Sequence, residues 1–498
     1  MLRQFFSPGR RKARLWGPVV ALLASGGCTV GPNYNRPSAP VPAKWDVQEP
    51  WREAEPKDGI PKTTWWTVFH DEELNGLEND LLVSNQSLKV SMATFEQARA
   101  TAAITNATIF PQVGVNPSVG MQRYSGTRPT GSNIPLSGAV TQSNWLLPFS
   151  VSYEVDLFGK RRRTIESAQA SYQASAADLE NVRLVLTAEL AADFFTLRQL
   201  DSEIGILDRT VVALQKGLQL VQSRHAGGVA SGLDVAQEET LLNTTRTQAT
   251  LLQQQRKQFE DAIAVLVGKT APDFHLAVRE LVAEPPNINT SLPSDVLERR
   301  PDIAETERQM ASANAQIGVS KAAYYPSIVL FGQGGWNSIN VSQLFNAESA
   351  IWAVGANIAE PIFTGGARRA QVQYSQAGYD ATVANYRGTV LNAFREVQDN
   401  ITGLQVLDTA RRSQADAVDA ARRQLDIATS RYVGGLVNYL DVVNAQQILL
   451  SNEQEAAVIQ GQRLVTSVLL VKALGGGWDA ASLSAVHVKP QFKDIVAP

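Results

Sequence analysis

The sequence "YVGGLVNYLDVVNAQQ" at residues 432–447 sets two glycines inside a pattern that is otherwise helical on both sides. Nearly the same plan occurs in "HAGGVASGLDVAQEET" at residues 225–240. The glycine pair at 227–228 corresponds to the pair at 434–435, and the leucine, aspartate and valine that follow correspond as well. Glycine permits the positive φ that a tight turn between two helices requires. The two stretches therefore predict two helical hairpins built on one plan.

A single shift relates the two halves of the chain well beyond these turns. Moving by 207 positions aligns Trp145 with Trp352 and continues without a gap to Gly268 and Gly475. Upstream of the tryptophans the shift becomes 215, so the first half carries eight more residues there, in a segment rich in Gly, Pro, Ser and Asn. That composition is typical of a loop, which tolerates insertion. The gap-free part predicts two tandem hairpins of equal length.

Long helices are indicated by the spacing of apolar residues. From residue 186 to 221, Leu, Ile and Val recur at alternating steps of three and four, interrupted only by Asp193, and no proline occurs between 160 and 270. This pattern is a heptad seam and predicts lateral packing against other helices. We expect helices over about 160–224, 231–267, 368–431 and 438–474, the first about 100 Å long.

Each predicted hairpin is preceded by two stretches in which apolar and polar residues alternate. They lie at 113–122 and 144–158 in the first half and at 327–336 and 352–358 in the second. Alternation predicts strands with one apolar and one polar face, as in a soluble sandwich or in a water-filled barrel in lipid. Four strands cannot close a barrel, and open sheet edges cannot lie in lipid. Transmembrane strands would therefore require several chains to share one barrel, and three chains would give twelve strands.

The N-terminus has the features of a lipoprotein signal. Residues 1–14 carry five basic side chains and no acid, residues 15–27 are apolar or small, and Cys28, the single cysteine, follows. This order predicts a secretory signal peptide over 1–27, with Cys28 as the acylated first residue. Thr29 in the next position resembles lipoproteins sent to the outer membrane. Cleavage elsewhere, with an incidental cysteine, is the alternative, since Ser25 stands where leucine is usual.

Charge and composition weigh against several classes of function. A net charge of -3 and a pI of about 6.0 give no sign of nucleic-acid binding. The four histidines, at 70, 225, 275 and 487, show no metal-ligand spacing, and neither a nucleophile elbow nor a phosphate-binding glycine pattern occurs. The three glycines at 475–477 are typical of a helix C-cap. We expect no enzyme activity, no cofactor and no metal.

Several motifs together resemble one known family, the TolC-like outer-membrane efflux factors, in the NodT-type lipoprotein branch. The resemblance covers nearly all of the mature chain. It rests on "GCTVGPNYNRP" (27–37), "WWTVFHDEELNGL" (65–77), "YEVDLFGKRRR" (153–163), "LPSDVLERRPDIAETERQMASANAQIGVSKAAYYPSI" (292–328), "PIFTGGARRA" (361–370) and the stretch at 432–447. The motif at 292–328 is the most specific. Its pattern predicts a helix that restarts after Pro301, capped by Asp302 with Glu305 three residues later.

The resemblance implies a mainly helical chain with a transmembrane β part, in which two tandem repeats build a TolC-like duct. A homotrimer would form a twelve-stranded barrel in the outer membrane and a twelve-helix tunnel in the periplasm. The implied division is a signal peptide at 1–27, an extended segment at 28–70, a first repeat at 71–285, a second repeat at 286–475 and a tail at 476–498.

The resemblance also implies site residues at the hairpin turns and just beyond them. The turns would dock a periplasmic adaptor protein through Gly227, Gly228, Val229, Gly434, Gly435, Leu436 and Val437. Past the second turn, Leu440 and Asn444 correspond to the family's constriction residues, although the family often has aspartate where Asn444 stands. Leu440 would close the resting tunnel, while Asp441 and Asp234 would act on passing cations.

The function so implied is a passive, gated outer-membrane channel that exports drugs or other small amphiphiles. Its partners would be a periplasmic adaptor, an inner-membrane pump of the resistance-nodulation-division class, and outer-membrane lipid. Metal export ranks lower because the four methionines are not clustered. The alternative is a periplasmic adaptor or coiled-coil scaffold lipoprotein. Adaptors usually carry one hairpin, so two equal hairpins, each preceded by strands, favour the channel.

Overall fold

The computed structural model describes residues 29–39, 41–42, 64–127, 138–286 and 299–488. These ranges contain the helices α1 (Glu72–Ser84), α2 (Gln86–Ala107), α3 (Lys160–Ala226), α4 (Gly232–Leu266), α5 (Pro301–Ala322), α6 (Ala367–Val433) and α7 (Tyr439–Ala473). They also contain the strands β1 (Gln112–Val115), β2 (Ser118–Tyr124), β3 (Val140–Val155), β4 (Ser327–Ser338) and β5 (Ala350–Ala359). The predicted signal peptide at 1–27 and Cys28 lie outside the described residues.

The two hairpins have the same dimensions. The long helices α3 and α6 each span 67 residues, and the returning helices α4 and α7 each span 35. The prediction of equal hairpins is therefore confirmed, and each long helix extends over about 100 Å. None of the described helices is both long and apolar enough to cross a membrane.

The heptad seam of α3 is buried as its spacing predicts. Leu190, Leu197, Leu207, Leu214 and Val221 are all almost completely removed from solvent. α3 packs against α4 on one side and α7 on the other, and α7 packs against α6, so the four helices lie side by side in the order α4, α3, α7, α6. α4 and α6 form the two ends of the row, and near the tips α4 also contacts α7.

The seam of the second hairpin is more polar. Gln414 occupies the position equivalent to Leu207, and its Nε2 donates to the carbonyl oxygen of Asn452 at 2.9 Å and to its side-chain Oδ1 at 3.0 Å. The amide of Gln414 is half-buried, and such a group is tolerated in a seam when it is hydrogen-bonded. The hydrogen bonds therefore join α6 to α7 where apolar packing joins α3 to α4.

Shorter helices continue the row towards the strands, because α2 and α5 stack end to end on α4 and α7. At the first joint, Asn85 Nδ2 donates to the carbonyl of Leu266 at 2.8 Å, while its Oδ1 accepts from the backbone N of Leu88 at 2.9 Å. At the second joint, Arg300 Nη1 donates to the carbonyl of Ala473 at 3.2 Å. Each joint thus satisfies a helix-end carbonyl that would otherwise lack a partner.

A buried ion cluster fastens the segment after α4 to the first hairpin. Asp201 on α3 is completely buried and accepts from Arg198 Nη1 at 2.7 Å, from Arg256 Nε at 2.5 Å and from the backbone N of Arg279 at 3.1 Å. Arg198 also binds Glu73 on α1 at 2.6 Å. A buried charge costs several kcal/mol unless it is paired and hydrogen-bonded. This cluster meets that condition and joins α1, α3, α4 and the segment that follows α4.

The second repeat contains the equivalent ion pair in a more exposed setting. Asp408 and Arg463 stand 207 positions after Asp201 and Arg256, with Oδ1 and Nη2 3.5 Å apart. The Asp408 side chain is 25% exposed, and the adjacent Arg412 and Arg463 guanidinium groups lower the pKa of its carboxyl.

The strands form one antiparallel sheet in the order β1/β2, β3, β4, β5. β1 and β2 both pair with β3 and continue one register across it, from Gln112 opposite Ser152 to Ser118 opposite Leu146. The register aligns the apolar positions of neighbouring strands on one face, as where Phe149 lies opposite Gly334 and Gly334 opposite Trp352. That face is exposed in the protomer, and Trp352 retains 83% of its accessible surface.

Three local expectations from the sequence are wrong. The strand predicted over 113–122 is interrupted at Asn116-Pro117, because proline has no N–H for the ladder. α5 begins at Pro301 with Arg300 as its N-cap, so Asp302 is not the cap and instead binds Arg300 Nη2 at 2.7 Å. Residues 65–69 form a short 3₁₀ helix rather than extended chain, since burial of their aromatic rings against α3 favours a turn.

The ion cluster predicts an unequal response to two equivalent substitutions. Asp201→Ala leaves the guanidinium groups of Arg198 and Arg256 buried without their shared carboxylate, so we expect a loss of about 3–5 kcal/mol in the free energy of unfolding. Asp408→Ala is the matched control and should cost at most about 1 kcal/mol, because its carboxylate is partly solvated. Denaturant titration of the purified protein in detergent measures both. Equal losses would contradict the role given to the cluster.

Candidate functional site at the hairpin tips

Both hairpins turn through the same backbone motif. Gly228 has φ of +72° and Gly435 of +76°, and each is the left-handed residue that ends the long helix. In the first turn Val229 N donates to the carbonyl of Arg224 at 2.8 Å, and in the second Leu436 N donates to that of Arg431 at 2.9 Å. These six-residue closures are Schellman motifs. The second glycine of each pair is therefore required by the backbone.

The first glycine of each pair is not required in this way. Gly227 and Gly434 have φ of −79° and −74°, values that any residue adopts. A Cβ built on either would find only ordinary contacts at 3.5 Å or more. Prediction from the sequence treated both glycines of each pair as turn residues, whereas the structure separates them. Gly227 and Gly434 instead leave bare backbone beside Val229 and Leu436.

Apolar side chains project from the tips. Val229 is 69% exposed and Leu436 is 72% exposed, while Val437 is half-buried beside α6. Exposed apolar groups next to bare backbone are typical of a surface that another helix can approach closely. The predicted docking residues are thus brought together at one end of the molecule.

The two acids predicted near the gate differ in their surroundings. Asp234 and Ser231 form a capping box, in which Ser231 N donates to Asp234 Oδ2 at 3.0 Å and Asp234 N donates to Ser231 Oγ at 3.2 Å. The equivalent residue Asn438 makes no side-chain cap for α7. The capping box therefore holds Asp234 in its turn, whereas Asp441 takes no part in such a box.

Leu440, Asp441 and Asn444 are exposed on α7, whereas Val442 and Val443 on the same turns are buried. The constriction residues predicted from the sequence thus point away from the packed side of their helix. Asp441 and Asn444 line an open groove of about 1010 Å³ between α6 and α7. Two arginines that sequence reasoning did not single out, Arg423 and Arg431, line the same groove. Their spacing of eight, on one face of a helix, was the available signal.

The seam between the two hairpins of the protomer is closed by tyrosines. The rings of Tyr432 and Tyr439 lie 4.8 Å apart, centroid to centroid, and the Arg224 guanidinium lies 4.9 Å from the centre of the Tyr432 ring. They form one apolar cluster with Leu214 and Val221 of α3. Aromatic pairs and cation–π contacts of this kind add to the burial of apolar area.

A carboxyl group is buried at the same seam. Glu238 on α4 is completely removed from solvent, and neither of its carboxyl oxygens has a hydrogen-bond partner of ordinary geometry among the described residues. Burial raises the pKa of Glu238, and the neighbouring Tyr439 and Gln446 partly oppose that shift. Burial at the seam therefore favours the neutral form of Glu238 more than solvent does for an exposed glutamate.

The N-terminal segment lies along the opposite end of the helices. Val30 N donates to the carbonyl of Phe158 at 3.1 Å, at the junction between β3 and α3. Further along, Arg163 Nη2 donates to Asn33 Oδ1 at 2.8 Å, and the Tyr34 hydroxyl donates to Glu307 at 2.5 Å. Residues 29–37, the described part of this motif, thus run from the end of the strands onto the helices. Cys28 itself lies outside the described residues.

No group of three or more His, Cys, Asp or Glu side chains in the described ranges is arranged to hold a metal ion. His225 lies at the first tip, where its Nδ1 is 2.9 Å from the carbonyl oxygen of Ala230.

The buried carboxyl of Glu238 predicts that the stability of the seam between the two hairpins depends on pH. Because the pKa of Glu238 is raised in the folded protein, stability is lost as pH rises above the ordinary glutamate pKa of about 4.3. At pH 7.5 we expect the free energy of unfolding of Glu238→Gln to exceed that of the wild type. The difference should be about 1.4 kcal/mol for each unit by which folding raises the pKa of Glu238. The gain should shrink towards pH 4.5. Glu239→Gln, an exposed neighbour, is the control and should show no gain in denaturant titrations.

Comparison with known proteins places the chain in one family. The family model described as "Outer membrane efflux protein" matches residues 77–269 and 292–476, and each segment contains one hairpin. The toluene efflux pump outer membrane protein TtgF of Pseudomonas putida is 32% identical over 472 residues, covering 93% of this chain and 97% of that protein.

Solved structures agree with the sequence comparison. The outer-membrane channel OprN superposes with a TM-score of 0.84 at 28% identity, over 91% of this chain and 100% of that one. The open state of the Neisseria gonorrhoeae outer membrane channel MtrE superposes with a TM-score of 0.79 at 26% identity, over 91% and 99%. TtgF is thus an outer membrane protein of an efflux pump, and OprN and MtrE are outer-membrane channels. The chain belongs to the outer membrane efflux protein family.

Proposed function

We propose that three copies of this outer-membrane protein form a passive, gated channel that opens when its tips engage a periplasmic adaptor and an inner-membrane resistance-nodulation-division pump. The observation that carries the proposal is the pair of open edges on the protomer. β1/β2 and β5 each pair on one side only, and α4 and α6 end the helix row. Open edges cannot remain in lipid, and three such protomers would close both layers, with twelve strands and twelve helices.

The apolar sheet face supports placement of the strands in lipid. It presents Val119, Trp352 and Val354 outward, with aromatic residues at both ends of the strands. Aromatic residues at the two interfaces and an apolar band between them are typical of membrane β-strands. The polar face would then line the water-filled interior.

Acylation of Cys28 fits the path of the N-terminal segment. The hydrogen bond from Val30 to Phe158 holds the chain two residues after Cys28 beside the end of β3. The Phe158 ring stacks there on Tyr325, with centroids 4.6 Å apart. A lipid on Cys28 would therefore enter the membrane next to the strands, as an anchor that adds to them.

The tips would dock the adaptor, and the residues beyond them would close the tunnel. Bare backbone at Gly227 and Gly434 allows the tip of another helical hairpin to approach closely. Leu440 would obstruct the axis of the resting channel. Of the two predicted acids, Asp441 is better placed to act on permeating ions, because Asp234 is engaged in its capping box.

The cargo would be drugs or other small amphiphiles, moved by the energy of the inner-membrane pump. The toluene pump component among the relatives supports apolar cargo. The adaptor alternative has no comparable support, because the matching family and the superposed structures are channels.

Substitution at Leu440 tests the gate. We expect Leu440→Gly to raise single-channel conductance in planar bilayers, since it removes the side chain that narrows the axis. Leu233→Gly is the matched control, because Leu233 holds the equivalent position on the first hairpin and is also exposed. It should leave conductance near the wild-type value. If Leu440→Gly conducts like the wild type, Leu440 does not close the channel.

Substitution at Gly434 tests docking. Gly434→Leu keeps an ordinary φ, so we expect normal folding and membrane levels, together with drug susceptibility close to that of a deletion strain. The added side chain would keep the adaptor's hairpin away from the tip. Gly76→Leu, on an exposed face of α1 with nothing within 4 Å of its Cβ position, is the control and should retain resistance. Full resistance in Gly434→Leu would exclude docking at this glycine.

A further inference from the structure

The first hairpin carries a groove near its tip that is already filled. The walls are apolar residues of α3 and α4, including Leu214, Val221 and Leu241, and the occupants are Tyr432 and Tyr439 from the second hairpin. The filled groove leaves Leu241 only 6% exposed. This contact is the seam within one protomer.

The internal repeat places the same groove on the second hairpin, where it is open. A shift of 207 positions takes Val221 to Ala428 and Leu241 to Ile448. Both of these residues, with Arg431, line the groove of about 1010 Å³ between α6 and α7. Ile448 remains 41% exposed, so a surface that is covered in the first repeat lacks its cover in the second.

The order of the helices identifies what would cover it. The closed seam joins α3 to α7, and the open groove lies on α6 and α7 at the end of the row. In a closed ring of identical protomers, the helix after α6 is α4 of the next copy. In that neighbouring copy, the tip of the first hairpin corresponds, through the internal repeat, to the tip that carries the tyrosines.

The residues on that tip are smaller than the tyrosines they correspond to. Tyr432 corresponds to His225 and Tyr439 to Gly232. The wall is smaller as well, since Ala428 stands where the first groove has a valine. Less buried apolar area and poorer filling both weaken a contact.

Resting on the proposed trimer, we infer that the open groove receives the first-hairpin tip of the neighbouring copy, through His225 and Gly232, and that this seam is weaker than the tyrosine-filled seam within each protomer. The periplasmic rim then alternates three strong seams with three weak ones. The hairpins separate first between protomers, where the least apolar area has to be exposed.

The test transplants the protein's own tyrosines into the weak seam. His225→Tyr with Gly232→Tyr gives the first tip the residues of the second. The backbone accepts them, because Gly232 is not at positive φ and Tyr439 occupies the equivalent first position of α7. We expect the trimer to dissociate into monomers at a higher temperature on gels, and spontaneous opening in planar bilayers to fall by about ten-fold.

Leu233→Tyr is the control, because it adds an exposed tyrosine beside the same turn but outside the contact. It should change neither the dissociation temperature nor the opening. If the double variant behaves like this control, the groove does not receive the neighbour's tip and the inference is overturned.

A cysteine pair separates failure of this inference from failure of the trimer. Gln199 packs against Gly461 within the protomer, and the equivalent positions Val406 and Gln254 are both exposed. Oxidation of Val406→Cys with Gln254→Cys should link protomers into dimers and trimers on non-reducing gels, whereas Gln199→Cys with Gly461→Cys should give monomers. Absence of linked protomers would reject the trimer itself. Linked protomers with an unchanged dissociation temperature in the tyrosine variant would reject only the weak seam.

Discussion

Equal hairpin length is the constraint on which the rest of this structure depends. Helices of 67 and 35 residues are stable only because each turn packs on a neighbour along the whole row. One inserted residue would rotate every following side chain by about 100° and turn the heptad seam away from its partner. This explains why the repeat runs without a gap from Trp145 to Gly268. The loop predicted ahead of it differs by eight residues between the repeats.

The two repeats form equivalent contacts with different side chains. Where two short helices meet end to end, the first repeat uses the amide of Asn85 and the second the guanidinium of Arg300. Where the long helix of a hairpin packs on the returning helix, each repeat has one aspartate and one arginine that form an ion pair. Asp201 is completely buried among several donors, whereas Asp408 is partly solvated. The same backbone plan therefore tolerates local divergence, provided each buried polar group keeps a partner.

Several of the proposed roles rest on differences between the repeats, although the proposed docking glycines are common to both tips. The turn geometry is common to both tips, but Asp234 caps its helix while Asp441 is left for other contacts. The second tip presents tyrosines where the first presents a histidine and a glycine. In a trimer with threefold symmetry, the rim would therefore have six turns of the same backbone geometry. The side chains on those turns would repeat only three times. The six tips of such a rim can lie at one level, and some contacts between hairpins can still separate more easily than others.

The sequence by itself determined the features that are periodic along the chain: the repeat, the hairpins, the heptad seam and the alternating strands. Each is visible because a local spacing reports which face of an element is apolar. Only the tertiary structure decided which glycine of each pair takes a positive φ and that Pro301 rather than Asp302 begins α5. It alone brings Glu238 against Tyr439. That contact joins residues about two hundred positions apart, and no spacing along one element encodes which faces of different elements meet.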